Sequence, residues 1–469
     1  MRTFFASISV TVLILCTVGQ AGADLHDPAQ AADYLIIAPA DLLQSYPWIQ
    51  QLAAWRSQHG RTAMIVAADS IWTEFGNGLP SDTTLKDFLF YVYDHWSAPH
   101  LRDVFIIGWH DLVPSHIDST GGAAALTDYY YAVRENSPML PLFSVGRLPW
   151  SPSQTPQLYD YYSKVVAYES QPEAPWQTRL QLIADFRDQA FNFEDASEGT
   201  IVNLNSSITV TRDYCDHPQG DPWHGDSSGI MQHLNDGSLI VAPFSRADFG
   251  TWGSGLHLTP QNLRTLSNGA RLPIVLGIEL DVNVNDFAVS GIPRALLENP
   301  DGGAIAYFGM SNFCFVMTTV MYRQSFFQVA AADTPRVLGD VWRYAAAISP
   351  SPDIHAMWEM LLGDPGLRLP AIHADTKDFA PQPSSLSLSC YPNPFNPSTQ
   401  IQFELNRTEH VKLEVMNVLG QHVATLVDAP QIAGSHTVTW SGADHPSGLY
   451  FAVLEAGSVR HVTKMMLLK

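Results

Sequence analysis

Between Tyr34 and about Pro370 the chain alternates short apolar runs with longer amphipathic stretches. Eight runs read as strands: 34–38, 62–68, 103–108, 142–147, 180–186, 238–244, 272–280 and 303–309. Several of them, such as LPIVLGI at 272–278, are apolar throughout. A strand wetted on one face alternates with period two, whereas one covered on both faces does not. These runs therefore predict a mostly parallel sheet with helices on each side. A further strand is predicted in ITVTRDY, just before Cys215. The helical period runs through 47–59, 83–97, 154–170, 259–267 and 321–332, and Thr259-Pro260 supplies a capping hydroxyl followed by a first-turn proline. Strand–helix alternation of this kind predicts a doubly wound α/β domain.

The pattern then changes. Residues 373–390 are polar and carry prolines at 381 and 383, the composition of a linker. Beyond it the segments 400–405, 410–418, 422–427, 436–440, 449–457 and 461–469 alternate with period two or are rich in β-branched residues, with turn residues between them. They predict a small all-β, immunoglobulin-like sandwich. Its lead-in holds Pro392, Pro394 and Pro397, which block both helix and inner strand, so this segment can only enter an edge strand.

Charge narrows the range of partners. Lys and Arg number 25 against 46 Asp and Glu, and 40 of the acids precede the sandwich. A phosphate backbone or an anionic membrane needs a positive face, and no basic cluster offers one, so nucleic acid is not an expected partner. Residues 1–23 read as a secretory signal peptide: Arg2, an apolar run to about Leu15, then Ala21-Gly22-Ala23 before Asp24. The run is too short for a membrane anchor, and Leu15 before Cys16 is too bulky for a lipoprotein signal. No later run is long enough to span a bilayer. Three cysteines follow the leader, Cys215, Cys314 and Cys390, an odd count with neither a disulfide framework nor zinc spacing. Cys215 is expected to be an inert surface or loop thiol.

The tail carries Tyr391-Pro392-Asn393-Pro394-Phe395-Asn396-Pro397-Ser398-Thr399, then Asn417-Val418-Leu419-Gly420-Gln421, Ser447-Gly448-Leu449-Tyr450 and a final basic-apolar strand ending at Lys469. Together these resemble the C-terminal sorting domain of the bacterial type IX secretion system. The resemblance implies passage across both membranes, secretion or attachment at the outer cell surface, and the secretion machinery as partner.

The larger part shows six segments in order: Asp103–Gly108 followed by Val113-Pro114; Thr127–Ala132; Ser144–Pro149; Lys164–Glu169; Gly303–Ala306; and Leu362–Pro365. These resemble the gingipain family of cysteine peptidases and so imply a caspase-like α/β fold. In that family a His and a Cys stand at the carboxyl ends of adjacent strands, serving as base and nucleophile beside an oxyanion site. The family's His lies six residues before a Trp; here Trp252 is present and Arg246 occupies that position. Its Cys lies seven residues after the proline of a Leu-Pro; here that count from Pro273 reaches Leu280. An arginine accepts no proton at neutral pH and a leucine has no nucleophile, so both catalytic positions read as substituted.

Three functional readings remain open. One is a degenerate peptidase retained as a binding or structural module for protein or peptide ligands. The second is an active cysteine endopeptidase that uses a relocated Cys314 with His257, or a different register. The third is a hydrolase built on Glu279 or Asp281 at the same rim. No cofactor is expected except calcium, which gingipain-like domains often bind; Asp248, Asp281, Asp286 and Asp301 are acidic residues near loop ends, without EF-hand spacing. His110, His116, His217 and His224 read as solvated, and the Gly-, Pro- and Asp-rich stretch 216–229 as a long exposed loop able to line a groove. The expected organisation is signal peptide 1–23, α/β domain 24–372 with sub-domains 34–170 and 171–372, linker 373–390 and sorting domain 391–469.

Overall fold

The computed structural model describes residues 24–119, 124–134, 141–152, 158–187, 192–201, 204, 207–245, 251–253, 258–277, 291–311, 316–330, 337–348, 359–370, 388–393, 395–405, 409–417, 422–431, 434–456 and 459–468. The chain divides into two compact units, Met1–Phe379 and Ala380–Lys469. The predicted signal peptide and most of the predicted linker lie outside the described residues.

Strands of the first unit are β1 (Tyr34–Ala38), β2 (Ala63–Ala67), β3 (Asp103–Ile107), β4 (His116–Asp118), β5 (Ala125–Thr127), β6 (Ser144–Leu148), β7 (Arg179–Ala184), β8 (Thr209–Tyr214), β9 (Ile240–Phe244), β10 (Ile274–Gly277), β11 (Ala306–Met310) and β12 (Glu359–Leu362). Its helices are α1 (Ala40–Ser45), α2 (Trp48–Gln58), α3 (Ala68–Phe75), α4 (Asp82–His95), α5 (Tyr161–Glu169), α6 (Phe193–Thr200), α7 (Ser227–Asp236), α8 (Pro260–Leu263), α9 (Ile292–Leu297), α10 (Val316–Ala330) and α11 (Leu338–Ile348).

One ten-stranded sheet runs β2-β1-β3-β6-β12-β11-β10-β9-β7-β8. β1, β2, β3 and β6 pair in parallel, and so do β7 to β11. β12 runs antiparallel to β11 and touches β6 at Leu362↔Arg147. The apolar runs are continuous because both faces are covered. Along β9 and β10, Ile240, Ala242, Ile274 and Leu276 enter one core while Val241 and Val275 enter another. Successive side chains point to opposite faces, so two cores demand apolar residues at every position.

The expected strands are present with trimmed ends, and β12, only four residues long, escapes the pattern. The helix expected at 154–170 begins at Tyr161, where the Asp160 carboxylate accepts from Ser163 N–H at 3.0 Å as an N-cap. The one expected at 259–267 stops at Leu263. There Asn299 Nδ2 lies 3.3 Å from the carbonyls of Leu263 and Arg264 and 3.0 Å from that of Leu266, meeting carbonyls a longer helix would bond internally.

The second unit consists of β13 (Leu388–Tyr391), β14 (Ser398–Leu405), β15 (Glu409–Asn417), β16 (His422–Gln431), β17 (Gly434–Ser441), β18 (Gly448–Ala456) and β19 (Val459–Leu467). They form two antiparallel sheets, β13-β14-β17 and β16-β15-β18-β19. Ile401 and Phe403 from one sheet and Val411, Leu413 and Val415 from the other share a core with Phe395 and Trp440, at the period of two that the sequence displays. Phe395, within the proline-rich lead-in, is buried against Trp440 with ring centroids 5.4 Å apart.

Candidate functional site at the carboxyl edge of the sheet

In a parallel sheet the carboxyl ends of the strands leave carbonyls without strand partners and open onto loops, which is where ligands bind. Here β9 and β10 are direct parallel neighbours, Ile240 opposite Ile274 and Val241 opposite Val275. Their ends are fixed by one cation. Arg323, buried on α10, donates from Nη2 to the Pro243 carbonyl at the end of β9 and, at 2.9 Å, to the Leu276 carbonyl at the end of β10. Its guanidinium also lies 4.6 Å from the centre of the Phe244 ring. Arg323 is the only charged residue of α10, VMTTVMYRQSFFQVA. A lone arginine in such a segment is a legible sign of a buried role, one that pattern reading passed over.

The floor around these ends is closely packed. Gly277 has no room for a Cβ, because the Tyr307 hydroxyl of β11 would lie 1.8 Å from it. Asp185, just past β7, is buried, and its carboxylate accepts the Phe186 N–H at 2.9 Å. Gly253 approaches that carboxylate with φ +70°, a conformation suited to glycine, and a Cβ there would stand 2.8 Å from Asp185 Oδ2. Beside it Trp252 is fully buried, its backbone N–H donating to the Leu258 carbonyl at 3.0 Å. Ser245, the first residue past β9, is buried too.

The expected site residues Arg246, Leu280, Cys314 and His257 lie outside the described residues, as do Asp248, Glu279, Asp281 and Asp286. What the structure places is their flanks: Arg246 follows Phe244 by two positions and Leu280 follows Gly277 by three. Cys215 corrects an expectation. It is no surface thiol but is buried past β8, and its pKa is pushed up to about 12 by burial and then by the carboxylates of Asp185 and Asp216. Its place in the turn past β8 agrees with the loop position expected, and little thiolate forms at neutral pH. Cys215 is a free thiol.

Of the four histidines read as solvated, His110 is exposed. The other three are half-buried and bonded. His116 Nδ1 lies 2.7 Å from Asp82, with its ring stacked 3.8 Å from Tyr130. His217 lies between Glu194 and Asp221, and His224 Nδ1 is 2.6 Å from the His217 carbonyl. Among the described residues no group of three or more His, Cys, Asp or Glu could hold a metal ion.

The six sequence segments prove to be joints of the framework. Arg147 of β6 is buried and reaches Asp128 from Nε and Nη2, at 2.7 Å each. From Nη1 it donates to Gly108 O at 2.7 Å and Val113 O at 2.8 Å. One side chain thus joins the first three segments. The others meet at the amino edge. Asp364 accepts from Tyr34 Oη at 2.7 Å and from Arg56 Nη2 at 2.7 Å, while Glu169 accepts from Arg56 Nη1 at 2.6 Å. Tyr161 Oη donates to the Ile305 carbonyl at 2.7 Å and accepts the Asp364 N–H at 3.0 Å.

Residues 27–370 match peptidase family C25, and residues 389–468 match a secretion system C-terminal sorting domain. The chain belongs to peptidase family C25. No curated protein matches it. Among solved structures it is similar to the Arg-specific cysteine proteinase gingipain R, at 12% identity and TM-score 0.55, covering 93% of this chain and 98% of that one. It is also similar to the complex of RgpB pro- and mature domains from Porphyromonas gingivalis, at 13% identity and TM-score 0.55, covering 93% and 100%. A further protease structure matches at 15% identity and TM-score 0.58, covering 94% and 98%. At these identities the likeness concerns the fold. The C25 unit and its sorting tail mark a protein delivered by a secretion system to the cell surface or beyond it. Among the described residues no helix is long and apolar enough to cross a membrane.

Proposed function

We propose that the C25 unit has lost its catalytic dyad and serves at the cell surface as a non-hydrolysing module that binds protein or peptide segments along the carboxyl edge of its sheet. The observation that carries this reading is one of register. The dyad of a cysteine peptidase of this family is expected two or three residues past the ends of β9 and β10, and there the sequence has Arg246 and Leu280. A guanidinium cannot act as general base at neutral pH, and an aliphatic side chain forms no thioester. Arg323 adds support: it keeps the two strand ends together, so the edge can stay in shape without any chemistry to perform.

The test is a peptide library incubated with the full chain, with and without prior thiol alkylation. Expected is no cleavage in either sample, with retention of a subset of peptides on the immobilised protein. Cleavage that disappears on alkylation would overturn the reading. If that cleavage also disappears in Cys314→Ala, a relocated nucleophile replaces it, since Cys314 lies four positions past the end of β11, the parallel neighbour of β10.

A further inference from the structure

One imidazole links the loop that follows β8 to α6, and Arg187 separately meets the loop at Asp216, 3.4 Å from its Nε. His217 Nε2 is 3.1 Å from Glu194 Oε1 on α6, and its Nδ1 is 3.1 Å from Asp221 Oδ1 in its own loop. A neutral imidazole has a single N–H and can donate to one of these carboxylates; the imidazolium donates to both. The loop returns to β8 through Tyr214 N–H, which donates to the Trp223 carbonyl at 2.7 Å, and Gly225 N–H, which donates to the Tyr214 carbonyl at 3.0 Å. Trp223, 40% exposed, lies 5.5 Å from the His217 ring, with the Arg212 guanidinium 4.8 Å from the indole.

We infer that His217 is a proton-operated clasp, which when charged fastens residues 216–226 to α6 through both carboxylates beside the carboxyl edge of the sheet and when neutral keeps only one of these bonds, loosening the segment. The groups facing it are acids, and the nearby cations Arg212 and Arg187 are already paired with Glu198 and Asp216. α6 presents Glu194, and also Glu198, whose carboxylate already receives Arg212 and the Tyr214 hydroxyl. The loop itself contributes Asp221, together with His224, whose Nε2 faces Asp226 at 3.8 Å. β8 contributes the Tyr214 ring, 5.9 Å from that of His217.

Hydrogen bonding to Glu194, and then the charges of Glu194 and Asp221, raise the His217 pKa above its ordinary 6.5. A group with a raised folded-state pKa contributes fully below its unfolded value and loses its contribution as pH rises through the higher one. The clasp is therefore fully closed below the ordinary imidazole range and loosens as pH rises through the raised His217 pKa. The inference does not depend on whether the unit hydrolyses peptides.

Hydrogen exchange of the full chain at pH 5.5 and 8.5, corrected for intrinsic rates, tests this at the amides of 216–226. Expected is a roughly tenfold lower protection at the higher pH, the scale of one lost charge-assisted hydrogen bond. His217→Gln should show low protection at both pH values. Glu194→Gln keeps the imidazole but removes its anion, so the midpoint should move down. His233→Gln, which removes the separate 2.8 Å pair with Asp213, should leave the pH dependence intact. Protection that does not vary with pH in the parent chain would overturn the inference. So would pH dependence surviving in His217→Gln, an unmoved midpoint in Glu194→Gln, or loss of the dependence in His233→Gln.

Discussion

Lys164 illustrates how burial rather than residue type sets behaviour. It extends from α5, and its Nζ donates to the Leu297 carbonyl at 2.7 Å, at the carboxyl end of α9. Burial pushes its pKa down to about 7, with Glu298 only partly opposing the shift. An unfolded lysine titrates near 10.5, so between these values the unfolded chain binds more protons and folding stability rises with pH. One such proton contributes at most about 1.4 kcal/mol per pH unit. Lys164→Met should flatten that rise, as measured by urea denaturation at pH 7 and pH 9. A variant with the same slope as the parent would show that Lys164 is not the group responsible. At this scale Lys164 is legible as part of an amphipathic helix, but its low exposure depends on the end of α9 meeting its ammonium, which no local pattern encodes.

Elements were the most legible level. Two-sided burial leaves an unbroken apolar run, and β1, β3 and β9 are read directly from such runs. Short helices were harder. α6, FEDASEGT, is mostly polar, with Phe193 and Ala196 among its buried residues, so its helical period is faint in the sequence. The join between β9 and β10 was not legible, because its agent, Arg323, comes from a third element. Arg323→Met should leave the Pro243 and Leu276 carbonyls without that donor and cost about 2–4 kcal/mol. Arg323→Lys should recover part of this, since an ammonium can reach carbonyls but lacks the planar fork. Chemical denaturation of the two variants gives the comparison; equal losses in both would mean that the cation is not what joins the strand ends.

Across the whole first unit, contacts between the ends of the sequence decide the closure. Asp364 meets Tyr34 and Arg56, some 330 and 308 positions away, and Arg56 also holds Glu169. The Arg56, Asp364 and Glu169 side chains are all but inaccessible to water. Asp364→Asn removes one of the two carboxylates that face buried Arg56 and leaves Glu169 to it, so the unit should be destabilised by about 1–3 kcal/mol. That loss is read as a lower denaturation midpoint; an unchanged midpoint would refute the buried network as a stabilising closure.

Period and composition, both local properties, determined on their own the two-unit organisation, the covered parallel sheet and the all-β tail. Each follows from how side chains alternate along a backbone or from what functional groups a residue carries. Only the tertiary structure decided that Arg147 and Arg56 gather the recognisable segments, that Arg323 ties β9 to β10, that Cys215 is buried, and that His217 sits between two acids. These are pairings across large separations, and a chain records the partners of such a pair without recording that they meet.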